Sequence, residues 1–356
     1  MRILYFGTYE RRYPRNAQVV SCLRRAGVEV VERHEPVWEG REEKWSLGPG
    51  AVARLALAEA RLLARRPPRA DAVVVGYPGH LDLPAARRVA RGRPVVFNPL
   101  VSLADTLVAD RGRFRPGSLP AKALRLIDRR AFRAADLVVA DTETHADFLA
   151  DFTGVPRDRF AVCFVGAEER LFRPAWKPEE PFTALFVGKL IPLHGLETIL
   201  EAARLAPDLR LRIAGSGQLA NLLADPPAPA NVEWIPWIEY ERLPEALEAA
   251  GCALGIFGRS EKAQRVIPNK AFQALACGVP LVTGDTPAAR ELLSDGTNAV
   301  LVPPGDPHAL AEALERVAAD PETAQRIAEA GHAVYRQRAS EDVLGARWRD
   351  ILEGVA

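Results

Sequence analysis

The sequence predicts two doubly wound α/β domains in tandem, and three observations lead there. Short apolar, β-branched runs alternate with amphipathic helical patterns along the chain, as βαβ units around a parallel sheet do. At 356 residues the chain exceeds one comfortable hydrophobic core. The alternation pauses once, at Arg173-Pro174-Ala175-Trp176-Lys177-Pro178-Glu179-Glu180-Pro181, where three prolines and several charges read as an interdomain linker.

Before that pause, strands are expected at 3–6, 29–33, 72–75, 95–97 and 137–140. Amphipathic stretches lie among them at 17–26, 51–65, 83–91 and 119–134. The first strand is a short apolar run after Met1, too short for the apolar segment of a signal peptide and without a cleavage site. After the pause the order is strand 183–187, helix 196–205, strand 209–214, helix 218–223 and strand 232–235. Helix 243–250, strand 253–256, helix 269–276 and strand 280–283 follow, and helices at 307–319, 321–338 and 343–352 come last. The expected domains are 1–172, joined by a C-terminal helix at 341–356, and 182–340, with 173–181 between them. Ligands of such sheets bind beyond the carboxyl ends of the strands, so two facing sheets would create a cleft.

Charge is unevenly divided. Residues 1–177 hold 31 Lys and Arg against 21 Asp and Glu, and the remainder holds 16 against 25. The halves therefore carry about +10 and −9 within a net charge of +1, and the first half is expected to meet something acidic. Cys22, Cys163, Cys252 and Cys277 lie far apart with no CxxC pair, as small buried residues in a reducing cytoplasm would. No segment approaches the ~20 apolar residues of a membrane span. A cytoplasmic protein is expected.

The most informative stretch is Ile267-Pro268-Asn269-Lys270, followed by Ala274-Leu275-Ala276-Cys277-Gly278-Val279-Pro280-Leu281-Val282. It reads as a helix start, a short buried helix, a glycine stop and an apolar strand. A lysine on the first turn opposes the helix dipole, so its purpose is sought in a ligand. An anion, phosphate above all, suits a helix N-terminus. The alternative for Lys270 is a solvated helix residue.

Three other loops of the second half follow strands and should converge on the same edge. Gly188-Lys189-Leu190-Ile191-Pro192-Leu193-His194-Gly195 offers glycines for close backbone approach and two cations, Lys189 and His194; His194 as a structural cap is the even alternative. Ala214-Gly215-Ser216-Gly217-Gln218 and 234–239 complete the set. Gly215-Ser216-Gly217-Gln218-Leu219-Ala220 matches the loose GxGxxA dinucleotide pattern, with Glu233 near the spacing of a ribose carboxylate. It follows the second strand of its domain, however, whereas that fingerprint belongs to the first, which disfavours a dehydrogenase.

Together, Phe186-Val187-Gly188-Lys189-Leu190, His194-Gly195-Leu196-Glu197-Thr198-Ile199 and Arg212-Ile213-Ala214-Gly215-Ser216-Gly217 resemble the retaining glycosyltransferases of family 4. The resemblance runs on through 275–282, Glu291-Leu292-Leu293, 295–299 and Val302-Pro303-Pro304-Gly305-Asp306-Pro307. The first domain resembles the family more weakly, in its opening strand, Gly76-Tyr77-Pro78-Gly79-His80 and 97–106. The resemblance implies the two-domain GT-B fold, a nucleotide diphosphate sugar (UDP- or GDP-linked) held by the C-terminal domain, and an acceptor on the N-terminal side. Two positions depart from the family: glutamates eight residues apart are usual where Arg265 and Gln273 stand. The family's arginine and lysine of the first glycine loop are here Lys189 and His194.

The implied reaction is transfer of a sugar, with retention, to a hydroxyl of a glycan, glycolipid or small molecule. Catalysis then falls to His80, Lys189 and Lys270. Donor binding is expected from Gly188, His194, Gly215, Gly217, Trp237, Arg265, Val266, Ile267, Asn269 and Gln273. Gln273 would meet the ribose, whose hydroxyl an amide can both accept from and donate to, and the backbone around Trp237 the base. Arg265 has no acceptor atom and would more naturally hold phosphate. No metal and no cofactor beyond the co-substrate are expected. A catalytically silent nucleotide-sugar binder or partner subunit is the competing reading, on account of Arg265.

On the acceptor side, Arg15 and Asn16 start the first helix and are read equally as ligand contacts or as a cap. Asp105 is a helix cap or an acceptor contact. Trp38 and Trp45 are loop aromatics that touch the acceptor or pack on a neighbouring helix. Residues 111–133 hold eight basic side chains against one acid, Asp128. Such a basic amphipathic helix fits peripheral contact with an anionic membrane surface at its inner face, or a packed helix with a solvated basic face. Nucleic acid is disfavoured, since aromatic interleaving is absent.

Overall fold

The computed structural model describes residues 1–39, 49–64, 66, 68–225 and 227–356. The chain divides into two compact units, Met1–Phe164 with Glu341–Ala356, and Val165–Ser340. The stretch 173–181, read above as a linker, belongs to the second unit. There Ala175 N donates to Cys277 O (3.3 Å), Lys177 N to Glu248 O (3.0 Å) and Trp176 Nε1 to Ala250 O (2.7 Å). Trp45 and residue 65, the end of the 51–65 stretch, lie outside the described residues.

In the first unit, β1 (Arg2–Gly7), α1 (Pro14–Arg25), β2 (Glu29–His34), α2 (Pro49–Ala64) and β3 (Ala72–Val75) come first. α3 (Leu83–Ala90), β4 (Val95–Phe97), a π-helical turn at Asp105–Asp110, α4 (Leu119–Ala134), β5 (Leu137–Ala140), α5 (Glu143–Thr153) and β6 (Phe160–Val162) follow. The strands pair in parallel in the order β2-β1-β3-β4-β5-β6. The central strands are buried on both faces, which explains their unbroken apolar sequence: all four residues of β3 are fully buried. α4 starts where Ser118 Oγ accepts from Ala121 N, with a proline in its first turn.

The second unit runs β7 (Thr183–Val187), α6 (Leu196–Leu205), β8 (Arg210–Ala214), α7 (Asn221–Ala224), β9 (Val232–Ile235), α8 (Leu243–Glu248) and β10 (Cys252–Leu254). It continues with α9 (Asn269–Cys277), β11 (Leu281–Gly284), α10 (Pro287–Arg290), β12 (Val300–Val302), α11 (Pro307–Ala319) and α12 (Pro321–Arg338). The sheet is again all parallel, ordered β12-β11-β10-β7-β8-β9. Gly278 closes α9 in the left-handed conformation, φ 70°.

Two strands exceed the sequence expectation, β6 and β12. Each has three residues and forms one edge of its sheet. A run that short has no readable period, and pairing with a neighbour defines it.

α13 (Glu341–Glu353) packs within the first unit, along α1. Trp348 and Leu352 are fully buried, and a Cβ on Gly345 would stand 2.4 Å from the carbonyl oxygen of Cys22. Arg25 ties the start of α13 through Glu341 (2.8 Å) and Asp342 (2.9 Å). Among the described residues no helix is long and apolar enough to cross a membrane.

Candidate functional site

The strand order of the second sheet reverses between β7 and β10, the place where doubly wound sheets bind ligands. The loop after β7 is tightly held. His194 donates from Nδ1 to the Lys189 carbonyl, and its ring meets Phe186 edge-on with centroids 5.5 Å apart. His194 is thus the clamp of the glycine loop, with its ring buried.

The loop after β8 is joined to it. Leu190 N donates to Ser216 O (2.9 Å), and Leu219 N to Leu190 O (2.9 Å). A Cβ on Gly215 would lie 1.9 Å from the Gly188 oxygen, at a φ of +147° that disfavours any side chain. Gly215 and Gly217 therefore seal one loop against the other. The dehydrogenase reading loses its second support as well, because Glu233 is ion-paired with Arg212 at 2.7 Å.

The segment after β10 leads into α9 and returns Lys270 across β7. Its Nζ stands 3.6 Å from the centroid of the Phe186 ring. Gly188 makes room for it, since a Cβ there would lie 2.9 Å from Nζ. The ammonium is buried and has no hydrogen-bond partner among the described residues. Burial pushes its pKa well below the ordinary lysine value. A cation held without an acceptor among the described residues, at a helix N-terminus and beside an empty glycine position, has the chemistry to receive an anion.

Around it the predicted residues divide. Lys189 is exposed on the clamped loop, Asn269 and Val266 are half-buried, and Ile267 is a buried anchor. Arg265 is buried, with Nη1 3.4 Å from Glu261. Gln273 is buried and hydrogen-bonded to Tyr240, whose hydroxyl donates to Glu168 (3.1 Å). Trp237 is 68% exposed, its Nε1 donating to Glu239 (3.0 Å). The same segment buries Lys262, a further cation that the sequence reading passed over although it lies three residues before Arg265.

In the first unit the order reverses between β1 and β3. His80, after β3, is buried, with Nδ1 donating to Pro78 O and Nε2 3.4 Å from Asp128 Oδ1. Burial lowers its pKa, and the Asp128 carboxylate opposes that shift. Asp128 was missed as a site residue. It is the lone acid of a basic helix, and it is fully buried, accepting from Ser102 Oγ (2.7 Å), Leu103 N (2.9 Å) and Ala104 N (2.9 Å). Its isolation among arginines was the available signal.

Arg15 and Asn16 are both buried and hydrogen-bonded within the first unit, so the exposed-cap alternative does not hold. Arg15 is fully buried and binds Asn98 Oδ1 and the carbonyls of Cys163 (3.2 Å) and Phe164 (2.8 Å), with Trp348 5.9 Å away. Asn16 links Tyr5, Glu10 and Tyr77 through both ends of its amide. Asp105 is buried and opens the π-helical turn, its backbone N–H on Ser102 Oγ (3.1 Å).

A cavity of about 510 Å³ lies beside His80. Leu103, Leu107, Phe114, Leu124 and Ile127 make its walls chiefly apolar, and Trp38 reaches it with Nε1 on Thr8 Oγ1 (3.0 Å). Asp82, also on the wall, accepts from Thr8 N (2.7 Å) and Thr8 Oγ1 (2.9 Å). Glu59 on α2 hydrogen-bonds Asp82, and desolvation with that carboxylate raises the Glu59 pKa to about 9. Among the described residues no cluster of His, Cys, Asp or Glu is placed to hold a metal ion.

The family model described as Glycosyl transferase 4-like domain matches residues 2–166, and that described as Glycosyl transferases group 1 matches residues 167–334. The chain belongs to the family 4 glycosyltransferases. Within the family it is 26% identical over 293 residues to a D-inositol 3-phosphate glycosyltransferase of Thermobispora bispora, covering 71% of this chain and 64% of the relative. A Streptomyces bingchenggensis protein of the same name is 28% identical over 282 residues, 71% of this chain and 61% of its own. The chain thus spans less than two thirds of the length of these curated relatives.

Solved structures agree on a GT-B fold for this family 4 chain. Sucrose-phosphate synthase from Thermosynechococcus elongatus superposes with a TM-score of 0.77 at 16% identity, covering 99% of this chain and 98% of its own. Anabaena HepE, solved in complex with UDP-glucose, gives 0.70 at 16% identity, covering 99% and 100%.

Proposed function

We propose that this chain is a retaining glycosyltransferase that moves a sugar from a UDP- or GDP-linked donor to a hydroxyl of a glycan, glycolipid or small molecule. The observation behind this reading is the buried ammonium of Lys270, without a hydrogen-bond partner among the described residues, facing Gly188 at the start of α9. A departing diphosphate supplies the negative charge that this ammonium lacks. Preorganised cations and helix amides in a dry site are commonly the largest single contribution to such catalysis.

Lys189 and Arg265 are the second and third cations, and His194 acts by holding the loop. Val266, Ile267 and Asn269 present the N-terminal end of α9 to the phosphates. Gln273 is assigned to the ribose and the exposed indole segment at Trp237 to the base. In the first unit His80 is assigned to the transferred sugar, and Asp105 to the acceptor side. The bond from the anomeric carbon to the phosphate oxygen breaks as that to the acceptor oxygen forms. The leaving phosphate takes the acceptor's proton on the same face, so no carboxylate nucleophile enters. HepE, solved in complex with UDP and with UDP-glucose, supports the donor class. A cytoplasmic location accompanies the nucleotide donor.

Thermal-shift binding with UDP, GDP and their glucose conjugates tests the reading, with Lys270→Ala alongside. A shift with one nucleotide series, lost in the variant, is expected. No shift with any of them would remove the reading. Binding without transfer or donor hydrolysis would instead favour a silent nucleotide-sugar binder, to which Arg265, in place of the family's usual glutamate, points. Proton NMR of the product anomer checks retention.

A further inference from the structure

The cavity beside His80 has a wall chemistry that a sugar would not choose. Leu103, Leu107, Phe114, Leu124 and Ile127 face it, and its polar residues are largely engaged with one another. Thr8 is bound to Asp82 and Trp38, and His80 holds the Pro78 carbonyl. A sugar seated there would bury several hydroxyls without partners, each a loss of hydrogen bonding to water. Arg113 also lines the cavity and is exposed to solvent, so a hydrocarbon against the leucines, Phe114 and Ile127 gains burial while that charge stays hydrated. The volume, about 510 Å³, is that of a small-molecule site.

We propose that this cavity holds the apolar part of the acceptor, so that the acceptor is an amphiphile joining a hydroxyl headgroup to a hydrocarbon chain or ring. The assignment rests on the transferase reading for the word acceptor, and on the cavity alone for the chemistry. His80 on its wall sets where the hydroxyl end lies, and Leu107, Leu124 and Ile127 receive the apolar end. The helix that walls the cavity has a second character on its outer side. Lys122, Arg125, Arg129 and Arg130 are exposed there, with Leu119 82% and Leu126 48% exposed beside them. An amphiphile drawn from an anionic surface fits both faces of α4, whereas a dissolved amphiphile requires only the inner one.

The probes are n-alkyl β-glucosides from butyl to dodecyl, below their micelle concentrations, titrated into the full chain. Affinity is expected to rise about fourfold per added methylene and then to level off as the cavity fills. Ala123→Phe, at the half-open wall of α4, should bring the plateau to a shorter chain, and Leu124→Asp should flatten the series. An affinity independent of chain length, or a series that both variants leave unchanged, would overturn the proposal. Cosedimentation with phosphatidylglycerol vesicles, lost when Arg125, Arg129 and Arg130 are changed to Gln, would identify a membrane lipid as the source. Its absence beside a retained chain-length series would identify a dissolved amphiphile. UDP and GDP titrations on the same samples separate the two claims. Nucleotide binding with a flat alkyl series defeats this inference alone, and an alkyl series without nucleotide binding defeats the transferase reading and leaves an apolar-ligand site.

Discussion

The Lys270 ammonium lies over the face of Phe186, 3.6 Å from the ring centroid, and has no hydrogen-bond partner among the described residues. A cation–π contact recovers part of what water gave, but not a hydrogen bond. Burial therefore disfavours the charged form, and the pKa is depressed. The stability penalty is full below the depressed folded value and disappears as pH rises from there to the ordinary lysine pKa. Lys270→Met should raise stability by about 1–3 kcal/mol at neutral pH, with the gain shrinking in alkaline buffer, by urea unfolding at several pH values.

The same substitution should weaken nucleoside diphosphate binding by about 10- to 100-fold, the worth of a charge-assisted hydrogen bond. Phosphate binding restores the charged form, so proton uptake should accompany it wherever the free amine is neutral. Calorimetry in buffers of different ionisation enthalpy would read that uptake, and Lys270→Met should abolish it.

Gly215→Ala tests the seal between the glycine loops. The added methyl would meet the Gly188 oxygen at 1.9 Å in a backbone region unfavourable to any side chain. A loss of about 3 kcal/mol or more is expected, read as a lower unfolding midpoint, with nucleotide affinity falling as the Gly188 loop moves. Gly296→Ala, whose Cβ would meet nothing within 4 Å, is the comparison for left-handed strain alone.

Asp128→Asn replaces one acceptor oxygen with a donor among groups that all donate. Ser102 Oγ, Leu103 N and Ala104 N converge on the carboxylate. Stability should fall by about 2–4 kcal/mol. The His80 pKa, followed by NMR, should fall further, because the carboxylate that opposes its desolvation is gone.

Glu59 gives a pH signature of the opposite kind. An acid with a folded pKa of about 9 stays protonated while the unfolded chain ionises above about 4.5. Stability from this pair is therefore full below the unfolded value and is lost as pH rises from about 4.5 towards 9. Glu59→Gln keeps a donor for Asp82 and cannot ionise. It should flatten that fall and leave the variant the more stable protein at pH 8.5.

Most of the strand and helix pattern was legible because parallel strands buried on both faces must be apolar throughout, as Ala72–Val75 is. Helix starts at Leu119, Pro307 and Pro321 were legible through prolines and caps, which are local chemistry. The edge strands Phe160–Val162 and Val300–Val302 were not, since a run of three residues has no readable period and only pairing along the preceding strand, Leu137–Ala140 or Leu281–Gly284, defines it. Lys270 could be singled out because a lysine on a first helical turn contradicts the local rule. Arg15 looked equally unusual, yet its partners Asn98, Cys163 and Phe164 are distant in sequence, so its scaffold role became visible only on folding. Asp128 was hidden for the same reason, as His80 and Ser102 reach it only when α4 packs against the loops after β3 and β4.

The seat of α13 beside α1 also sets an order of manufacture. Arg15, Arg25 and the Cys22 backbone are made early, but the helix bearing Glu341, Gly345 and Trp348 is made after the whole second unit. At about 5–20 residues per second on the ribosome, that delay is roughly ten to thirty-five seconds. Over that interval the second unit is being completed, while the first has an uncovered apolar stripe on α1. The portion synthesised first is thus the portion finished last, and it is the one a chaperone would find unfinished.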